Sequence, residues 1–282
     1  AQTDPPHKPR TPRAGRRTGL FTPAVQKIHA ARMARAPGMG LPCPAMDTVL
    51  SQMIERVRDA AAHRAPLRIR GGASKDFHGG APLHGEVLDT RAYTGILSYE
   101  PSELVVTVRA GTPLHALEAA LAQQHQCLPF EPPHFGPGAT VGGMVAAGLS
   151  GPARASVGAV RDYVLGVVLV NGRAERLTFG GQVIKNVAGY DVSRLMVGAW
   201  GTLGLIAEVS LKVLPVAPAE ATLRFGCDQA QALRHLHTWG AQPLPLNASC
   251  WVPDAAGAGA GAAGAGTLYV RLRGAVAAVE AA

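Results

Sequence analysis

The sequence predicts an α+β protein: a large unit of two α+β subdomains, followed by a smaller, incomplete α+β unit. Three observations carry this. Strand-like and helix-like segments succeed one another without a regular strand–helix–strand rhythm, which disfavours a doubly wound sheet. Two glycine-rich loops interrupt the first 217 residues, each joined to an apolar element. From Glu220 the chain changes character and starts a new series of strands and helices. The expected organisation is a basic Pro/Arg/Ala-rich extension over 1–45, a main unit over 46–217, and a C-terminal unit over 218–282 with a Gly/Ala spacer at 255–266.

Folded sequence is expected to start near Met46. Val49, Leu50, Met53, Ile54 and Val57 recur at helical spacing, with Asp47 placed to cap the helix. Pro66 ends that segment, and short strands are read at 67–70, 86–88, 96–99 and 103–109. Thr112 and Pro113 suit the cap and first position of a helix running to about Gln124. The glycine-rich run 136–148 leads into an apolar helix. Strands at 163–170 and 175–179 flank Asn171-Gly172, the signature of a two-residue hairpin. Residues 185–197 read as a polar loop and short helix capped by Asp191 or Ser193, and 202–213 as a long β-branched strand. In the last unit, strands are expected at 221–225, 248–252 and 267–273. A helix is expected at 228–238 and the start of another at the end of the sequence.

Charge and composition exclude several function classes. Formal net charge is +8, but eight of the 27 basic residues and only one acid, Asp4, fall in the first 45 residues. The remainder is close to neutral, so the clustered basic face that tracks nucleic-acid phosphates is not expected. The N-terminal segment lacks the periodicity needed to bury a core and reads as a disordered extension. A transit peptide is also Arg-rich, but this segment is poor in Ser and carries several prolines. Cys43, Cys127, Cys227 and Cys250 form no C-x-x-C pair, and the histidines form no metal-like cluster; His235 and His237 point to different helix faces. Zinc, iron–sulfur and disulfide frameworks are not expected, and the thiols read as those of a soluble cytoplasmic protein. No apolar run reaches the roughly 18–20 residues that span a bilayer.

Two motifs point to a ligand. Arg70-Gly-Gly-Ala-Ser-Lys75 follows a strand, and its successive N–H groups can turn inward as a nest for an anion, with Arg70 or Lys75 supplying charge. An ordinary strand-to-loop turn would also satisfy that pattern. In the second, residues 138–143, glycines permit close backbone approach and the helix that follows points its positive end at a phosphate; tight helix–strand packing is the alternative. Together the two loops suggest a diphosphate held from both sides. Glycines in the run 201–215 suggest that something flat lies against that strand. The formal G-x-G-x-x-G at Gly259, Gly261 and Gly264 lies in Ala/Gly-rich spacer and leads into a strand, not a helix, so it is read as a false positive.

The segments 70–75, 138–148, 158–166 and 198–215, in this order, resemble the FAD-binding PCMH-type domain of the vanillyl-alcohol-oxidase superfamily, over roughly residues 47–215. Residues 131–143, 150–154, 160–166 and 181–195 are similar to the FAD-binding subunits of bacterial glycolate oxidases. The resemblance implies FAD lined by Gly71, Gly72, Ala73, Ser74 and Lys75 at the pyrophosphate, and by Ala139, Thr140, Val141, Gly142 and Gly143 opposite. It implies Gly158, Arg161 and Asp162 beside the isoalloxazine and ribityl chain, and Gly204, Leu205 and Ile206 at the adenine end or ring system. Covalent relatives carry a His in the first loop, where Ala73 and Ser74 stand here, so FAD is expected to be noncovalent. The Trp200 position departs from the Gly-Ser that often precedes the Gly-Thr-Leu-Gly run. The C-terminal unit corresponds to a cap domain, without the His-rich motifs of relatives that oxidise 2-hydroxy acids themselves. Implied partners are a larger FAD-containing subunit and an iron–sulfur subunit that together oxidise glycolate, in the cytoplasm or peripheral to the inner membrane. A stand-alone FAD-dependent hydroxy-acid or polyol oxidase, and a noncatalytic assembly subunit, are the alternatives; no catalytic base is assigned.

Overall fold

The computed structural model describes residues 44–79, 84–181, 189–254 and 265–282, with the backbone alone for 44–47. The N-terminal extension to residue 43, Lys185 to Ala188, and Gly259, Gly261 and Gly264 lie outside the described residues. The chain begins with helix α1 (Pro44–His63), then strands β1 (Leu67–Arg70), β2 (Glu86–Asp89), β3 (Ile96–Glu100) and β4 (Val105–Arg109). Next come α2 (Leu114–Ala122), β5 (Gln126–Cys127), α3 (Val141–Ala147), α4 (Arg154–Val157), β6 (Val164–Val170), β7 (Arg176–Gly180), α5 (Val192–Leu195), β8 (Leu205–Lys212) and β9 (Leu214–Pro215). The C-terminal part contains β10 (Ala219–Gly226), α6 (Gln229–Gly240), β11 (Leu246–Pro253), β12 (Gly266–Gly274) and α7 (Val276–Glu280).

A five-stranded sheet in the order β3-β4-β8-β6-β7, antiparallel throughout, forms the centre. Its middle strands β6 and β8 are buried along nearly their whole length because both faces are covered. On one face Leu114, Leu117 and Leu121 of α2 and Val141, Met144 and Val145 of α3 pack against Val106, Val108, Val167, Val209 and Leu211. On the other, Leu50 and Met53 of α1 meet Leu88, Val168, Val170, Leu205 and Ala207. A separate parallel pair, β1 with β2, carries the first glycine loop at its end.

Four local expectations are revised. Helix α1 begins at Pro44, so Asp47 lies inside it and is not its cap. Pro113, not Thr112, takes the cap position of α2, because the Thr112 hydroxyl is spent across the fold, accepting from the Gly95 N–H at 2.9 Å. Residues 101–103 form a 3-10 turn, and strand β4 starts two residues after the expected Glu103. The hairpin joining β6 and β7 is wider than two residues: the Asn171 side-chain oxygen accepts from the N–H groups of Arg173 and Glu175, and Ala174, not Gly172, takes the positive φ of 59°. An Asn side chain that mimics a backbone turn accounts for the longer loop.

The C-terminal strands pair as β10-β12-β11, and the alternation of β12 gives each face a different role. Leu268, Val270 and Leu272 pack under α6 around Ala232. Helix α6 starts at a reciprocal capping box, with Gln231 N–H donating to Asp228 Oδ1 at 2.7 Å and Asp228 N–H to Gln231 Oε1 at 3.0 Å. The interleaved Arg271 and Arg273 reach Glu131 of the main unit, and Arg273 Nη1 lies 3.4 Å from its Oε1. Arg271 Nε also donates to Asn247 Oδ1 at 2.7 Å, and Ser156 Oγ to the Asn247 carbonyl at 2.9 Å.

Beside β8, the buried Tyr93 hydroxyl donates to Glu208 Oε1 at 2.7 Å. Burial, and then the Glu208 carboxylate, push this phenol up from 10.0 to about 12. The folded value exceeds the unfolded one, so the stabilisation is complete below about pH 10 and is lost as pH rises through 12. Denaturant unfolding across pH 9–12 is expected to show stability falling by about 2–3 kcal/mol more in the parent chain than in Tyr93→Phe. Parallel pH profiles would refute this.

Candidate cofactor site

The first glycine loop leaves the end of β1 and lies edge to edge with the second. A Cβ on Gly71 would stand 2.3 Å from Thr140 Oγ1, and one on Gly72 only 1.3 Å from the Gly138 carbonyl oxygen. Ala73 adopts a left-handed φ of 59°, which turns the chain sharply before Ser74 and Lys75. Among the described residues no acceptor takes the N–H groups of Gly72, Ala73 and Ser74. Burial lowers the Lys75 ammonium pKa, and the group lies 5.6 Å from the Phe135 ring centre, 3.4 Å from Ser74 Oγ. Arg70 is paired with Asp76 at 3.0 Å, and Arg68 contacts the same carboxylate. Arg70 Nε is buried with no hydrogen-bond partner among the described residues.

The N–H groups of the second loop are committed, partly to the segment before α2. Thr140 caps α3 by accepting from Gly143 N–H at 3.2 Å, while the N–H groups of Val141, Gly142 and Met144 donate to Thr112 O, Ala110 O and Thr140 O. The N–H groups of residues 141–144 at the start of α3 therefore all have acceptors within the protein. Helix α3 is seven residues long and its first donors are committed, so this loop contributes a close-packed wall. A Cβ on Gly142 would lie 2.6 Å from that of Ala110, which explains the glycine there.

A cavity of about 370 Å³ opens between the two loops and the start of β8. Of the residues expected at the cofactor, Gly71, Gly72, Ala73, Ser74, Lys75, Thr140, Gly142, Gly143, Gly204, Leu205 and Ile206 line it. Ala139 and Val141 do not: both are buried in the core behind the loop. Gly158, Arg161 and Asp162 are also not among its lining residues. The Asp162 carboxylate accepts the Ala159 N–H at 2.8 Å and closes its own turn against Gly158, whose φ is 95°. Arg161 lines a second cavity with Tyr190, Asp191 and Arg194. There Asp191 caps α5 as expected and pairs with Arg194 at 3.1 Å.

Sequence reasoning missed His78, His84, Asp76 and Thr202 on the main cavity and placed Trp200 only as a departure. His78 and Trp200 stack face to face, with ring centres 4.1 Å apart and planes 2° from parallel. No local pattern encodes that meeting of two distant loops.

A nest of uncommitted N–H groups, a half-buried ammonium and an orphaned guanidinium nitrogen are donors for a buried anion. Leu67, Ile69, Leu205 and Ile206 add an apolar wall to the same cavity. An apolar pocket with a few convergent polar groups is what a dinucleotide with a diphosphate and a flat heterocycle requires. FAD fits these residues.

Residues 49–180 match the protein family described as FAD binding domain. That segment has the fold of an FAD-binding domain of the PCMH type, and FAD is its cofactor. Among curated relatives, the chain is 46% identical over 230 residues to glycolate oxidase subunit GlcE of Escherichia coli (strain K12), covering 82% of this chain and 62% of that protein. It is 32% identical over 163 residues to glycolate oxidase subunit GlcD of Bacillus subtilis (strain 168), covering 57% of this chain and 34% of that protein. It is 38% identical over 154 residues to D-lactate dehydrogenase of Archaeoglobus fulgidus, covering 53% and 33%. The chain thus spans less than two thirds of the length of each. A solved structure of alkyldihydroxyacetonephosphate synthase superposes with a TM-score of 0.65 at 19% identity, covering 82% of this chain and 46% of that one, a likeness of fold.

Proposed function

We propose that the chain is the FAD-binding subunit of a glycolate oxidase (glycolate dehydrogenase) complex, converting glycolate or a related 2-hydroxy acid to the 2-oxo acid. The observation that carries this is the anion-binding cavity between the two glycine loops, in a chain 46% identical to a glycolate oxidase subunit. FAD supplies acceptance of a hydride or an electron pair. Gly72, Ala73 and Ser74 hold the diphosphate through backbone N–H groups, and Lys75 and Arg70 balance its charge. Gly204, Leu205 and Ile206 support a flat ring and exclude water from that side. The cofactor is held noncovalently, since Ala73 and Ser74 offer no imidazole to the flavin. A larger FAD-containing subunit and an iron–sulfur subunit complete the assembly, and hydride abstraction takes place in the former. No described helix is long and apolar enough to cross a membrane. The complex is assigned to the cytoplasm, meeting the inner membrane only peripherally.

The test is the absorbance spectrum of the purified chain before and after acid precipitation, then glycolate addition with and without the two partner subunits. Flavin released to the supernatant, and bleaching by glycolate only in the assembled complex, is the expected result. Bleaching of the isolated chain would indicate a stand-alone oxidase. A complex that needs this chain to assemble but never bleaches its flavin would indicate an assembly role.

A further inference from the structure

Resting on the FAD reading of the cavity, we propose that Trp200 and His78 form an aromatic platform that takes the adenine ring of FAD, so that the cavity binds the adenosine-diphosphate half of the cofactor. Both side chains line the cavity, and they are contributed by different loops, the one after β1 and the one before β8. Their rings are stacked at 4.1 Å and 2°, which presents a flat aromatic surface beside the nest of residues 72–74.

The conformation of Trp200 supports a role beyond packing. Its φ is 52°, a left-handed value that a bulky residue adopts only where its surroundings impose it. The backbone is held there by its N–H donating to the Ala146 carbonyl at 2.9 Å, at the end of α3. The side chain is nevertheless 39% exposed, so no core contact explains why a tryptophan stands at this strained position. An exposed indole at the rim of a ligand cavity is suited to a planar ligand.

Adenine is favoured over the isoalloxazine for two reasons. The neighbouring wall is apolar: Leu67, Ile69, Gly201 and Leu205 line the same cavity. The isoalloxazine must exchange a hydride with a substrate and needs access to a second binding space, whereas adenine has no such need. The volume of about 370 Å³ lies near the low end of small-ligand pockets, about 300–1,000 Å³, and accommodates one end of a dinucleotide.

The experiment titrates the full chain, stripped of flavin, with ADP and separately with FMN while tryptophan emission is followed. ADP neither absorbs at the excitation wavelength nor accepts energy from indole, so quenching reports contact. ADP is expected to quench, FMN to bind at least tenfold more weakly, and Trp200→Phe to abolish most of the ADP quench with affinity kept within about threefold. Trp200→Ala is expected to weaken both ADP and FAD by about tenfold, the usual scale of losing one base–aromatic stack. His78→Ala should weaken both in the same direction. Alanine itself takes a left-handed φ at Ala73 and Ala174, so the Trp200→Ala backbone can persist. FAD binding with no ADP quench and an unchanged affinity in Trp200→Ala would overturn the platform while leaving the FAD site standing. Quenching by FMN instead of ADP would overturn the assignment to adenine. A parent chain that binds neither FAD nor ADP would overturn both.

Discussion

Gly72→Ala is expected to leave the purified chain colourless and less stable. The new methyl carbon would be built 1.3 Å from the Gly138 carbonyl oxygen and 2.2 Å from its carbon, and both obstacles are backbone. No rotamer change relieves such an overlap, so one glycine loop has to move off the other. Overpacking costs about 1–3 kcal/mol, and a backbone obstacle puts this case at the upper end or beyond. At about 2–4 °C per kcal/mol for a domain of this size, a melting temperature lower by about 6–12 °C follows. The loss of flavin is the larger effect, because the displaced loop carries the N–H groups assigned to the diphosphate. Gly172→Ala is the control: nothing lies within 4 Å of its Cβ position, and its φ is not left-handed. Flavin content by absorbance and a thermal melt decide the matter. A Gly72→Ala chain with full flavin and a parental melt would show that the two loops do not interlock.

Glu131→Ala is expected to loosen the C-terminal sheet from the main unit without removing FAD. Glu131 Oε1 accepts from both Arg271 and Arg273, and its Oε2 from the Ala153 N–H at 3.3 Å. All three charged side chains are only 20–23% exposed. Removing the carboxylate leaves two guanidiniums facing each other, with Asn247 beside Arg271, and Glu220 and the Cys127 thiol beside Arg273. Breaking a fully buried pair costs about 3–5 kcal/mol; partial exposure reduces that here to about 2 kcal/mol, or about 4–8 °C in melting temperature. Glu131→Gln, which retains one acceptor oxygen, should lose less. Limited proteolysis should then cut between β9 and β10 faster than in the parent, while flavin absorbance is unchanged. Equal cleavage rates would locate the attachment of the sheet elsewhere, for example at Ser156 and Asn247.

The sequence conveyed the elements better than their meetings. β1 was legible to the residue, because Pro66 and the glycine loop punctuate it on both sides. The long β8 run was legible from its β-branched residues, and the helix expected at 228–238 is observed as α6 over Gln229–Gly240. The glycines at 71 and 72 announced a turn with N–H groups facing inward, but not that Thr140 and Gly138 pack against it closely enough to exclude a side chain. Thr112 misled because its local context is that of a cap, whereas Gly95 from another loop claims its hydroxyl. The donors of the second loop misled for a related reason: a helix start appears free in sequence until Ala110 and Thr112 supply carbonyls to it. Arg271 and Arg273 alternate with apolar residues as solvent-facing charges do, and only the position of Glu131 makes them a docking surface.

The strand order also governs when this site can first exist in the life of the molecule. β8 lies between β4 and β6 yet is the last of the five strands to leave the ribosome. Until it emerges, β3–β4 and β6–β7 are two separate hairpins, each with an open edge able to pair with a foreign strand. The wall formed by Leu205 and Ile206 is missing from the cavity for the same interval. Cofactor loading that uses this wall therefore waits for β8, whose pairing with β4 spans a long sequence separation. In a cell short of this flavin, newly made chains would accumulate with the sheet closed and the glycine loops unfilled, where mass action no longer adds the stability that a bound ligand confers.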